Sequence, residues 1–332
     1  MNFALDEDHE FLRDVARSFV KKEIDLAPLL IPGATIANSR YDANWKKIVD
    51  VGWPGLIFPE AYGGSEMSCI DLAMVIGELG RALAPSPFFG TLAGTWTLLQ
   101  AASDDQKNRF LPGIAAGTAS LALAIADADG SVEGPGSDTR AAADGDGYVL
   151  NGTKSFVVDA ASASALAVAA HDGTSRRFFL VDVRQAGVRV EMLPWRDITR
   201  QVCTVSFEGA RGEVLPVDVA SAWPWIRDRL LLVLSAENAA GIEHVLEATV
   251  AYAKERVAFR ARDRIVSIDQ ARTRGDVRRE RRRERARALR CMGIIERRRR
   301  RIERGGYRPI LHERSVRCGN RAKRADLRRA RL

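Results

Sequence analysis

The chain has 332 residues, 46% of them hydrophobic, with 51 Lys and Arg against 43 Asp and Glu and a formal net charge of +8. That composition supplies a core for one large domain or two to three smaller ones. The longest apolar stretches, Leu230–Ala236 and Ala160–Ala170, fall short of the roughly 20 residues that a membrane helix needs. The opening run from Met1 to Asp8 is acidic where a signal peptide is basic. Cys69, Cys203, Cys291 and Cys318 form no CxxC pair, so neither a disulfide framework nor a metal site is expected. A cytoplasmic protein is the expectation.

Residues 5–24 read as an amphipathic helix, with Phe11, Val15 and Phe19 at four-residue spacing, Leu12 and Val20 flanking them, and acidic residues in the first turn, where the helix dipole favours them. Pro28, Pro32 and Gly33 break the pattern. Residues 43–52 predict a short helix, and 53–64 predict loops. Helices are expected at 72–83, 90–101 and 104–116, the last capped by Ser103. An all-α domain over 1–118 follows.

From 119 to 215 the texture is short β-like runs between turn signals. Tyr148-Val-Leu150 follows Asp144-Gly-Asp-Gly147, and Ser155–Val158 follows Asn151-Gly152, each dipeptide read as a tight turn that tolerates positive φ. Further runs are 165–168, 178–182, 188–190 and 202–207. A β-sandwich or barrel of about 100 residues is expected. Helix returns over 216–259, with Leu230, Leu234, Gly241, Val245, Ala248 and Tyr252 along one face.

Several strings in this order resemble the acyl-CoA dehydrogenases. Leu12–Phe19 is similar to that family's opening helix and Val51–Gly64 to its GW-GL-PE-YGG loop. Glu78–Arg81 and Gln106–Pro112 resemble its EELGR and QK-R-LP helices. Gly147–Lys154 is the most diagnostic string, and Tyr252–Phe259 resembles Y-x-x-x-R-x-x-F. The resemblance covers residues 3–259. It implies an α+β fold with an N-terminal helical domain, a central β domain and the start of a C-terminal helical bundle. It also implies FAD, an acyl-CoA substrate dehydrogenated α,β to the thioester, electrons passed to an electron-transfer flavoprotein, and a homo- or hetero-oligomer.

Site residues follow from the same resemblance. The family's T-E-P-x-A-G-S-D flavin strand corresponds to Ser131–Asp138. Ser131 keeps a hydroxyl and Gly136-Ser137 keep the pyrophosphate turn, while Val132-Glu133 replace Glu-Pro. The family's W-I-T/S strand is Phe156-Val-Val158 here, so Phe156 packs on the flavin ring and Val158 lacks the hydroxyl. Arg256 and Phe259 match positions that reach the FAD of a neighbouring subunit. The catalytic glutamate is unassigned: in most members it sits late in the second α-domain, beyond the part matched here, alignment on Gly241 places Leu231 at the position a minority use, and Asp228 and Glu237 read as ordinary charged helix residues.

Charge splits at the point where the resemblance ends. Residues 260–332 hold 28 basic side chains, 27 of them Arg, against 9 acidic, or +19; residues 1–259 carry −11. Such a block could neutralise phosphates, but Tyr307 is its only aromatic, so stacking platforms for single strands are lacking and no specific nucleic acid is expected. Degenerate codons from Arg260, read one nucleotide on, permit Gly-Arg-Gly-Ile-Gly-Ser-Phe-Gln-Ser-Ile-Lys-His, close to the family's G-R-P-I-G-S-F-Q-A-I-K-H. The expectation is a tail translated out of frame, with impaired activity as the consequence. A non-catalytic subunit of a heteromeric dehydrogenase and a nucleic-acid-binding protein are the alternatives.

Overall fold

The computed structural model describes residues 6–24, 38–132, 138–145, 147–258 and 261–262. Five helices come first: α1 (Glu7–Glu23), α2 (Asn38–Asp50), α3 (Cys69–Arg81), α4 (Phe88–Ala101) and α5 (Asp104–Ala115). Three of them start where short polar side chains satisfy the free amides of a first turn. Asp6 accepts from the His9 amide, and both Ser68 and Ser103 form capping boxes, with Asp71 and Gln106 returning a bond to the cap.

The stripe of α1 that faces the core keeps part of the expected one and shifts away from the rest. Ala16 and Val20 are buried, with Leu12 and Phe19 packed beside them, whereas Phe11 is 72% exposed and Val15 also faces out. The reason is Arg17, whose guanidinium makes a two-pronged bond to buried Glu78 on α3 at 3.0 and 2.8 Å and so turns the helix. Phe19 then meets Trp53 edge-on at 4.7 Å.

Seven strands follow: β1 (Leu121–Ala124), β2 (Arg140–Asp144), β3 (Gly147–Val158), β4 (Ala165–His171), β5 (Arg176–Asp182), β6 (Val188–Met192) and β7 (Val202–Asp218). The sheet runs β1-β4-β2-β3-β7-β5, and β5 pairs back onto β4, which closes it as a barrel; β6 lies on β7. Asp144 and Gly147 close the β2–β3 hairpin as expected. Asn151-Gly152 is no turn. It lies inside β3 at a register break, where Asn151 Oδ1 accepts from the Gly209 amide at 2.8 Å. Gly152 has φ +136°, and a Cβ there would stand 2.6 Å from Thr139 Cα. Glycine thus serves a close strand approach and a bulge.

Helix α4 lies directly on the barrel. A Cβ at Gly94 would come within 2.5 Å of the Leu121 carbonyl oxygen on β1. The chain ends its described part with α6 (Val219–Glu255), 37 residues long, and the small pair β8 (Val257–Ala258) and β9 (Ala261–Arg262). The first half of α6 is buried through Val219, Ala222, Ile226, Leu232 and Val233, whereas Ile242, Val245 and Tyr252 in the second half are exposed. No helix among the described residues is long and apolar enough to cross a membrane.

Candidate functional site at the end of strand β3

Strand β3 leaves its partner β7 between Lys154 and Val157, where the register breaks. Ser155 donates instead to the Ala126 carbonyl at 3.1 Å, and Phe156 takes φ +55°, an uncommon value for a side chain of its size. Its ring is turned off the barrel, 49% exposed, against Trp195 at 6.1 Å. The loop after β1 closes onto it. A Cβ at Gly130 would stand 3.1 Å from Phe156 Cε2, so the loop approaches because that residue is glycine. Ser131, one position on, is exposed; its amide donates to Asp129 Oδ1 at 2.8 Å, and that bond holds the Asp129 carboxyl below the usual range.

Two buried carboxylates flank this ledge. Asp127 accepts from Lys154 Nζ at 2.6 Å, and both side chains are nearly or wholly out of solvent. Burial pushes Lys154 down to about 8, opposed by its bond to Asp127. Arg176 stands 4.0 Å from the other Asp127 oxygen. Asp159, just after β3, adopts φ +63°, and its hydrogen-bond donors among the described residues are neutral. The Tyr41 hydroxyl donates to Oδ1 at 2.6 Å and the Gly90 amide, in the first turn of α4, donates to Oδ2 at 2.8 Å. Burial raises Asp159 to about 6, and burial likewise raises the Tyr41 hydroxyl, which keeps it a donor. The Gln201 amide donates in turn to the Tyr41 oxygen at 3.3 Å.

Asp159 also lines a small, partly open space with Ser86, Phe89, Thr199, Arg200 and Glu237. Arg200 lies over the Phe89 ring at 4.8 Å and pairs with Glu237 on α6. An open groove of about 720 Å³ continues from Arg200 and Glu237 along Leu234, Ile242 and Val245.

The predicted site residues divide as follows. Phe156 and the loop bearing Ser131 come together. Val158 is half-buried and pairs with Val202. Arg256 caps α6, with its guanidinium bonded to the Tyr252 hydroxyl at 3.2 Å. Gly136, Ser137 and Phe259, like residues 263–332, lie outside the described residues. Leu231 is 53% exposed, Asp228 stands 3.8 Å from Arg227, and Glu237 is paired to Arg200. The Asp127–Lys154 and Tyr41–Asp159 pairs were not foreseen. Their signals were present: Lys154 ends the most diagnostic string, and Asp159 follows Val158 directly.

A helical layer, a closed barrel and a long returning helix, with an aromatic ledge near the end of β3, define the acyl-CoA dehydrogenase class of architecture. Residues 6–118 match the family described as acyl-CoA dehydrogenase, N-terminal domain. Acyl-CoA dehydrogenase IpdE2 of Mycobacterium tuberculosis is 30% identical over 255 residues, covering 76% of this chain and 66% of that protein. A probable acyl-CoA dehydrogenase of Bacillus subtilis is 29% identical over 182 residues, covering 53% and 46%. The matches thus span about half to two thirds of these relatives. A glutaryl-coenzyme A dehydrogenase in complex with glutaryl-CoA shares the fold at a TM-score of 0.76 and 19% identity, covering 88% of this chain and 78% of the other. A glutaryl-CoA dehydrogenase from Mycobacterium smegmatis in complex with FADH2 does so at 0.71 and 20%, covering 92% and 78%. The chain belongs to the acyl-CoA dehydrogenase family, which is FAD-dependent.

Proposed function

We propose that the chain is an FAD-binding acyl-CoA dehydrogenase-type protein whose flavin site is centred on the Phe156 ledge. The observation that carries this reading is the ledge itself. A half-exposed aromatic pair, held in an uncommon backbone conformation and faced by a glycine that keeps the approach open, suits the face of a flat ring. Phe156, Val158 and Ser131 would hold the ring end, and Gly136 and Ser137 the pyrophosphate. Arg256 and Phe259 would serve the FAD of a neighbouring subunit in a homo- or hetero-oligomer. Bound FAD supplies the acceptor for a hydride from the β-carbon of an acyl-CoA thioester, and an electron-transfer flavoprotein collects the electrons.

The proton side of that chemistry is poorly provided for. General-base catalysis needs a carboxylate within reach of the α-proton. Leu231 offers a methyl-tipped chain, and Glu237 is engaged by Arg200. We therefore assign no catalytic base, and the reading is a protein that binds FAD with impaired dehydrogenase activity. A second reading, a non-catalytic subunit of a heteromeric dehydrogenase, is favoured by the same lack of an assigned acid among the described residues. The fold is also that of the ChsE4–ChsE5 complex from Mycobacterium tuberculosis, at a TM-score of 0.75 and 22% identity. The proposed domains are 1–118, 119–215, 216–259 and an out-of-frame tail over 260–332, with β7 running on to Asp218 before α6 begins at Val219.

Purification of the full chain with added FAD tests the reading. A stoichiometric visible flavin band with negligible turnover of acyl-CoA is the expected result. Colourless protein that leaves added FAD fluorescence unquenched would overturn it, the more so if it shifts DNA. The gene sequence around codon 260 tests the tail: an intact frame with no family sequence in the second frame ends that part of the proposal.

A further inference from the structure

Lys154 is the largest charged side chain with no solvent exposure, and the proposed chemistry gives it no task. Its surroundings suggest one. Nζ donates to Asp127 Oδ1 at 2.6 Å and to the Ile125 carbonyl at 3.3 Å. From β5, Arg176 donates to the Val132 carbonyl at 2.9 Å and the Ile125 carbonyl at 3.2 Å. The Ser155 amide takes the Ala126 carbonyl at 3.1 Å, and Ser155 Oγ the Ala128 carbonyl at 3.4 Å. Four carbonyls of the 125–132 segment are therefore gripped from the barrel, and two cations converge on its one buried carboxylate. Inside the segment, Asp127 N–H donates to the Ser131 carbonyl at 2.9 Å and Gly130 N–H to the Asp127 carbonyl at 2.8 Å, which folds it into the turn that faces Phe156.

A loop of this kind, five residues between Asp127 and Ser131, has many conformers of similar energy unless its backbone is tied. A burial penalty on two charges is tolerated only where each is bonded on several sides. Placing such a pair under a short turn makes sense if the position of the turn matters more than stability alone. We propose that Lys154 and Arg176 are positioning residues which, through Asp127, hold the 125–132 turn in register against the Phe156 ring and thereby set the affinity for the flavin. This rests on the flavin reading above.

Two variants of the full chain test it, Arg176→Gln and Lys154→Met, beside Ser103→Ala, which weakens a helix cap remote from the turn. Backbone hydrogen exchange of the apoprotein at Asp127, Gly130 and Ser155 reads the turn without any cofactor. FAD titration by fluorescence quenching reads the consequence. The expected result is exchange at these amides at least tenfold faster in Arg176→Gln, with FAD bound at least tenfold more weakly, while Ser103→Ala lowers the melting temperature and leaves the FAD dissociation constant within twofold. Lys154→Met should exceed Arg176→Gln in both measures. If it does not fold, Arg176→Gln decides alone. Unchanged exchange at the turn, or faster exchange with unchanged FAD affinity, overturns the positioning role. Affinity that falls equally in Ser103→Ala also overturns it, since the effect then follows global stability. Parent protein that takes up no FAD overturns the flavin reading, and the exchange data separate that failure from the other.

Discussion

Asp127, in the loop that faces Phe156, and Asp159, three residues after Phe156, are both withdrawn from water. They differ in their partners. Asp127 faces Lys154 and Arg176, whereas Asp159 is bonded by Tyr41 and the Gly90 amide, with Arg200 acting only at a distance. The same residue type in comparable burial therefore meets two solutions to one problem, which is the cost of taking a charge out of water. One side compensates the charge and fixes a loop. The other leaves it uncompensated, and the group answers by holding its proton more tightly.

The largest effect should come from breaking the compensated side. Lys154→Met removes the near cation and leaves Asp127 with Arg176 at 4.0 Å. Breaking one half of a buried pair costs about 3–5 kcal/mol, which urea denaturation of the full chain would read directly. A loss below about 1 kcal/mol would show that water or the arginine replaces the lysine, and the contrast between the two carboxylates would then be one of geometry alone.

Asp159 should respond to pH in the opposite manner to a salt-bridged carboxylate. Its folded-state value of about 6 lies above the ordinary 3.8, so between those values the folded chain keeps a proton that the unfolded chain has released. The contribution is greatest below the unfolded value and declines as pH rises toward 6, by about 3 kcal/mol at full extent. Tyr41 stays protonated throughout, and Arg200, Glu237 and Cys203 are the other titratable neighbours. Asp159→Asn should flatten this dependence between about pH 4 and 6. An unchanged pH profile would mean that Asp159 is charged in the folded chain and the two sides are alike.

Much of this was legible beforehand, and the reasons are physical. Caps announce themselves locally, so Ser103 before Asp104 and Asp105 predicts the start of α5 where it occurs. Hairpin Asp144–Gly147 is equally local. Asn151-Gly152 carries the same turn chemistry yet sits inside β3, because glycine there answers to Thr139, just before the neighbouring strand β2, a contact that periodicity does not encode. The stripe of α1 was placed only in part: Leu12, Phe19 and Val20 face the core and Phe11 and Val15 do not, and Arg17 meets Glu78 across 61 positions of sequence, a contact that periodicity does not encode either. Around the candidate site, Phe156 was singled out through its string, while Asp127 and Asp159 were not. A buried carboxylate reads as an ordinary surface acid until its partners are known.

A backbone contact offers a control that touches neither carboxylate. Gly94→Ala would drive a Cβ to within 2.5 Å of the Leu121 carbonyl, and backbone on both sides leaves little room to yield. Overpacking of this kind costs about 1–3 kcal/mol. The expected signature is a lower urea midpoint with the pH dependence between 4 and 6 intact, since Asp159 is unaffected.

The smallest effect belongs to the α5 cap, and it sharpens the comparison by being purely local. Ser103 Oγ accepts from the Gln106 amide at 3.3 Å, and Gln106 Oε1 accepts from the Ser103 amide at 2.9 Å. Ser103→Ala deletes one of these bonds at a partly exposed helix end, where water can take its place, so the cost should be about 1 kcal/mol. Gln106 is also tied by its amide nitrogen to Glu213 and the Val214 carbonyl on β7 at 2.7 and 3.0 Å. That second anchor keeps the first turn of α5 on the barrel after the cap is gone. A melting-temperature loss well beyond this estimate, with faster exchange at the Phe156 turn, would mean that the helical layer and the ledge are coupled. The two carboxylates would then report on one cooperative unit rather than two local solutions.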